Sequence, residues 1–240
     1  MLVAAAFCPS APVLHPTVAS GAAPETQAVR TACSKAMDAL LRSEPDVVVT
    51  VGSGSGVRTG WYAPDARGSL QGVGVDVVLG AGSGPVELPL SLAIAAWLAD
   101  RADYGGQVLP FGIEPDESAD RCGSLGAGVA ERTPRVAMLV IGDGTACREA
   151  KAPGTFDERA EPFDEATAAA ITRVDVGALA SLDPTLCGAL MVDGRTVWQV
   201  AAGAAAARVA SGHDRLLGTL YHRSAPYGVE YLVAGWRESD

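Results

Sequence analysis

The first apolar positions of the chain, Leu2 to Phe7, run without interruption and stop at Pro9. A continuous run this short reads as a β-strand buried on both faces. The period then changes. Over residues 25–43, Val29, Cys33, Met37, Leu40 and Leu41 recur at i, i+4, i+8, i+11 and i+12, one face of a helix that Pro45 ends. Asp46 opens a second continuous run, VVVTV. Strand, helix and strand make a βαβ unit with loops at the carboxyl ends of its strands. Further strands are expected at 73–79, 107–112 and 136–141, and further helices at 88–102 and 117–131. Phe163–Arg173 and Arg195–Val209 also read as helices, and the alanine content of the second requires its neighbours to approach closely. Arg215–Tyr221 and Val229–Trp236 flank the turn sequence SAPYG and predict a terminal hairpin. Alternating strand and helix closed by a hairpin predicts a three-layer α/β/α fold with a central mixed sheet, residues 1–240 forming a single domain.

Composition narrows the function classes. Twenty-eight acidic residues against eighteen basic ones give a net charge of −10. The basic residues are scattered, so no patch could neutralise a run of phosphates, and nucleic acid is excluded as an expected partner. Cys8, Cys33, Cys122, Cys147 and Cys187 are odd in number, far apart and without a CxxC pair. That pattern fits a reducing compartment and small buried thiols better than a disulfide frame or a zinc site. The N-terminus lacks a basic n-region and is broken by Pro9 and Pro12, so it reads as a first strand and not as a signal peptide. Val197–Ala210 carries Gln199 and Arg208 and is shorter than the roughly 20 residues of a membrane span. A cytoplasmic protein without a membrane partner is expected.

Candidate chemistry is sparse. VVVTVGSGSGV, residues 47–57, places a glycine-rich turn after a strand. Its spacing is GxGxG, and Gly60 and Pro64 follow where a dinucleotide fold needs a helix to present N–H groups to phosphate. A flexible turn is therefore favoured over a nucleotide site, and no P-loop or nucleophile elbow occurs. The histidines, His15, His213 and His222, have no i, i+4 pair, and each reads first as a hydrogen-bonded structural residue. His15, in the loop after the first strand, is expected on the same rim as Gly52 and Asp143. Asp143, in a Gly-Asp-Gly turn, either holds its loop through backbone N–H groups or serves a site. The acids at 157, 158, 161, 164 and 165 read as loop solvation and as negative charge at a helix start. Cys147 has no histidine near it in sequence to lower its pKa.

Three segments together resemble the class III extradiol ring-cleavage dioxygenases, the superfamily of the protocatechuate 4,5-dioxygenase β subunit. FCPSAPVL (7–14) is similar to the family's strand followed by Pro-His-Pro-Pro, and PDVVVTVGSG (45–54) to its valine-rich strand and Ser-Pro-His. GDGTACREAKAPGTFDERAEPFDE follows its Gly-Asp-x-Ser-His-Arg, Ala-Pro-x-Gly-Tyr and Phe-Asp-Glu in order and spacing, and the closing YGVEYLVAGW also fits. The resemblance implies the extradiol dioxygenase fold and, in the family, Fe(II) held by two histidines and a glutamate beside an acid/base histidine. At the corresponding positions this chain has Ser10, the stretch Gly52-Ser53-Gly54, and Ala146, with only Asp193, Gly194 and Arg195 where the glutamate should fall. The expectation is a metal-free, cofactor-free relative that keeps its cleft as a binding or interaction site. Ser10, Ser53, Asp143 and Thr145 would supply hydrogen bonds there and Arg148 a charge for an anionic ligand. Memo-type proteins, also similar to this superfamily, have roles other than ring cleavage, and family pairing makes a homodimer one expectation. The competing readings are a metal-dependent dioxygenase with displaced ligands, His15 joining Asp143 and either His213 or His222 around Fe(II), and a small-molecule or nucleotide-binding protein using GSGSG.

Overall fold

The computed structural model describes residues 1–20, 24 and 26–239. In chain order the first elements are β1 (Leu2–Cys8), a single turn α1 (Pro16–Ala19), α2 (Gln27–Leu41), β2 (Val47–Gly52), β3 (Gly60–Trp61), β4 (Arg67–Ser69), β5 (Val78–Leu79) and β6 (Val86–Leu88). They are followed by α3 (Leu90–Arg101), β7 (Gln107–Gly112), α4 (Ala119–Ala130), β8 (Val136–Ile141), α5 (Ala160–Arg173), α6 (Val176–Ala180), α7 (Pro184–Ala189), α8 (Arg195–Ala210), β9 (Leu217–Ser224) and β10 (Tyr231–Arg237).

β1, β2 and β8 bury every residue, because each has helices over both faces. Leu2, Ala5 and Phe7, Val47, Val49 and Val51, and Val136, Met138 and Val140 face one layer, built from α4, α5 and α8. The alternate residues, among them Ala4, Ala6, Val48, Ala137 and Leu139, face α2 and α3. The result is a three-layer α/β/α fold around a seven-stranded mixed sheet in the order β3-β7-β2-β8-β1-β10-β9. β7, β2, β8 and β1 are parallel, and β10 runs antiparallel to β1 and to β9. The predicted terminal hairpin thus closes one side of the sheet.

One expectation is corrected. Residues 73–79 are not a strand of the main sheet. Gly74 adopts a left-handed conformation after a 3-10 turn, and only Val78–Leu79 pair, in a separate small sheet with β4 and β6. The helix expected at 25–43 spans Gln27–Leu41, Glu25 lying outside the described residues. Between α5 and α8 the chain forms two short helices, each opened by an aspartate, Asp175 or Asp183, that accepts a backbone N–H in its first turn. All five cysteines are free and buried, and burial pushes the Cys122 and Cys187 thiols up to about 11.

The close approach expected of the alanine-rich helix is visible where α8 meets α4. A Cβ on Gly126 would lie 1.9 Å from the Val200 carbonyl oxygen, whereas one on Gly128 would meet nothing within 4 Å. Both glycines sit inside α4, where alanine is intrinsically better by about 1 kcal/mol. Gly128→Ala is therefore expected to raise the urea midpoint, and Gly126→Ala to lower it, overpacking costing about 1–3 kcal/mol. Urea unfolding of the two variants at one temperature checks the opposite signs.

Candidate functional site

The parallel strands end level with one another, Ile141 of β8 standing opposite both Cys8 of β1 and Gly52 of β2. The next residues of all three chains therefore leave the sheet at one rim, the crevice in which open α/β sheets place ligands. Ser10 and Asp143 meet there. The Ser10 backbone N–H donates to Asp143 Oδ1 at 2.9 Å, and Ser10 Oγ lies 2.8 Å from Asp143 Oδ2. The same hydroxyl lies 2.9 Å from Asp193 Oδ2. Asp193 is delivered by the turn before α8, where Gly194 N–H donates to the Asp143 carbonyl at 2.8 Å.

One hydroxyl hydrogen cannot serve two carboxylates. Ser10 donates to one acid, and the other must carry a proton and donate to Ser10, so the pair shares about one proton. The environment agrees. Burial first, then the Asp193 charge, pushes Asp143 up to about 7 against the two bonds from Ser10. Burial also pushes Asp193 upward.

A pocket of about 150 Å³ opens beside this pair, lined by Ser10, Ser53, Gly54, Ser55, Leu90, Ser91 and Asp193. Ser53 is committed to the scaffold, donating to the Ile113 carbonyl at 2.8 Å and accepting from Thr196 at 3.0 Å. Ser91 is 3% exposed, and its hydroxyl is the one buried side-chain polar atom among the described residues without a hydrogen-bond partner. Gly52 makes room for it, since a Cβ there would fall 2.6 Å from Ser91 Oγ.

The Gly-Asp-Gly loop has a different task from the one expected of its later residues. Thr145 is fully buried and gives both its N–H and its hydroxyl to Asp164, at 3.0 and 2.7 Å. Ala146 is pinned between the Leu190 carbonyl and the Gly154 N–H. Arg148 is enclosed by three acids, Glu161 at 2.9 Å, Glu230 at 3.0 Å and Asp164 at 3.3 Å. Arg148 thus neutralises buried carboxylates and is not presented to an anionic ligand. Thr145, Ala146 and Arg148 do not line the pocket. Glu230, also paired with Arg223, is held up to about 7 by burial and by Asp164. The acids at 161 and 164, read as loop solvation and helix-start charge, are two of the three acids in this clamp.

The three histidines remain apart from the pocket. His15 packs on Trp97 with ring centroids 5.3 Å apart, and its Nδ1 accepts from Thr17 N–H at 3.4 Å. His213 is exposed, and His222, on the hairpin, bonds Ser224 at 2.8 Å. Burial lowers the His15 and His222 pKa values, Arg101 assisting at His15. Among the described residues no three His, Cys, Asp or Glu side chains are grouped so that they could hold a metal ion. After GSGSG the chain enters β3 and not a helix, so that turn has no helix terminus of its own to offer a phosphate. No helix of the described residues is long and apolar enough to cross a membrane.

Fold and rim together define a three-layer α/β/α protein with a hydroxyl- and acid-lined pocket at its strand ends. No known family profile and no curated protein matches the chain. Among solved structures, the crystal structure of uncharacterized protein JW3007 from Escherichia coli K12 is similar, with a TM-score of 0.56 and 13% identity over 97% of this chain and 99% of that one. At that identity the likeness is one of fold.

Two expectations follow. An aspartate whose folded pKa is raised from 3.8 to about 7 contributes stability that is fully present below pH 3.8 and is lost as pH rises through 7. Asp143→Asn can accept the Ser10 N–H and donate to Ser10 Oγ, mimicking the protonated acid. It should unfold at a higher temperature than the parent above neutral pH, with the difference vanishing at about pH 4, as read by melting curves across pH. Arg148→Met, which strands Asp164 beside Glu230, should lose about 3–5 kcal/mol in urea unfolding at neutral pH.

Proposed function

We propose that this protein is a divergent relative of the class III extradiol dioxygenases that keeps the strand-end pocket as a small-molecule binding site and has given up the iron chemistry. The observation that carries this reading is the donor set of the rim. Where the resemblance implies imidazoles, the rim offers Ser10, bridged to two acids, and Ser53, whose hydroxyl is fully engaged within the fold. Fe(II) sites of this type need two imidazoles and a carboxylate with open positions, and the nearest imidazole on this loop, His15, is occupied with Trp97. The residues present do not fit the metal. The acid/base position is equally inert, because Ala146 has no titratable group, and loss of such a group alone lowers rates by about 10²–10⁴. The pocket itself is concave, polar and ordered by long-range hydrogen bonds, the properties of a ligand site.

Anaerobic reconstitution with Fe(II), Mn(II) and Zn(II), followed by desalting, metal analysis and a catechol-cleavage assay, tests this reading. The expected result is sub-stoichiometric metal and no ring-cleaved product. One metal per chain together with turnover would overturn it.

A further inference from the structure

We propose that a second cavity, between α3 and the face of the sheet formed by β2 and β7, receives a small amino alcohol, its ammonium group at Asp100 and its hydroxyl on Thr50. This cavity shares no lining residue with the strand-end pocket.

The cavity holds about 190 Å³. Its walls are Leu92 and Ala96 of α3, Val108 and Pro110 of β7, and the backbone of Gly80 and Ala81 after β5. Its floor is Thr50, which stands opposite Pro110 in the register of the sheet. Thr50 is 1% exposed, and its hydroxyl bonds to no protein group among the described residues. Unlike the sealed Ser91 hydroxyl, that of Thr50 is not shut off, and the little surface it keeps opens on the cavity. A hydroxyl both donates and accepts, and one left at this depth without a partner is relieved by a ligand that brings one.

Asp100, exposed, and Tyr104, half-buried, line the mouth. Asp100 lies in the last turn of α3, where the negative end of the helix dipole disfavours an acid. Burial raises its pKa against the N–H groups of Gly80 and Ala81, and no cation of the protein offsets that burial. The neighbouring Arg101 is turned to the Trp97 ring, 5.2 Å from its centroid. A carboxylate and a helix end of the same sign favour an ammonium group at the mouth, and the Tyr104 hydroxyl is a second acceptor for it.

Charge selects the rest of the ligand. Over Thr50 a second ammonium would be buried without an acid and a carboxylate without a cation, and either is costly. A neutral hydroxyl pairs with Thr50 at no such cost. Between the two ends the walls are apolar, which suits a methylene chain. The volume exceeds that of a cavity of roughly 150 Å³ that holds benzene, so a short chain has room.

Calorimetric titration of the full chain at neutral pH with ethanolamine, 3-amino-1-propanol, 4-amino-1-butanol and 5-amino-1-pentanol, each against the n-alkylamine of the same carbon number, tests the proposal. At least one amino alcohol is expected to bind one per chain, and at least fivefold more tightly than its alkylamine. Asp100→Asn should weaken that amino alcohol at least tenfold. Thr50→Val, which puts a methyl where the hydroxyl stands, should abolish its advantage over the alkylamine, with melting curves showing both variants folded. Should Thr50→Val fail to fold, Asp100→Asn and the alkylamine comparison decide. Absence of saturable binding across the series, alkylamines of equal affinity throughout, binding unchanged in Asp100→Asn, or an advantage that survives in Thr50→Val would overturn the proposal. Each of these results leaves the metal-free reading of the rim standing, since that reading falls only to stoichiometric metal with turnover.

Discussion

Burial of β1, β2 and β8 on both faces is the constraint from which the rest of the structure follows. Strands this apolar, with Thr50 their one polar side chain and buried like the rest, need a helical layer above and below, and here α2 and α3 supply one and α4, α5 and α8 the other. Polar side chains are thereby expelled from the sheet to its ends. Because the strands are parallel and end in register, their first polar residues emerge together at one rim. The chemistry of that rim depends on three long-range meetings, Ser10 with Asp143, Ser10 with Asp193, and Ser91 with Gly52.

The rim is rigid for a separate reason. The long loop after β8 is tied to β10 by paired bonds between Gly144, Thr145 and Glu230, to the turn before α8 through Ala146 and Leu190, and to α5 through Asp164. Arg148 and Arg223 neutralise the acids buried in this clamp. A loop long enough to wander is thus anchored on three elements, and Asp143 is held at the carboxyl end of β8 beside Asp193. An extended polar loop without reactive groups has a structural purpose: it is the hinge pin of the site and not its reagent.

How much of this was legible in the sequence depends on range. The continuous runs of β1, β2 and β8, the one-sided apolar face of α2 and the SAPYG turn of the hairpin are local signals, and each produced the expected element. Ser10, Ser53 and Asp143 could be placed at one rim because strand ends in a parallel sheet share an edge. Asp193 could not be selected as a partner, being 183 residues from Ser10 and preceded only by two turns of helix that no apolar period announces. Ser91 looks like an ordinary first-turn serine until Gly52 is seen beneath it. Arg148 read as a free charge because its partners Glu161 and Asp164 looked like solvated acids, while Glu230 stands just before the apolar run of β10. The 73–79 segment failed as a strand because alternating valines carry no information about Gly74, whose left-handed backbone breaks the run.

The burial of all five thiols carries one more consequence. Apolar surroundings keep Cys122 and Cys187 protonated, and Cys33 and burial do the same for Cys8. Thiolate, the reactive species, is therefore scarce while the layers stay closed. Cysteine sulfur in this molecule becomes available to an oxidant or an alkylating reagent chiefly through opening of the fold, so its modification keeps time with structural opening and not with ambient redox poise.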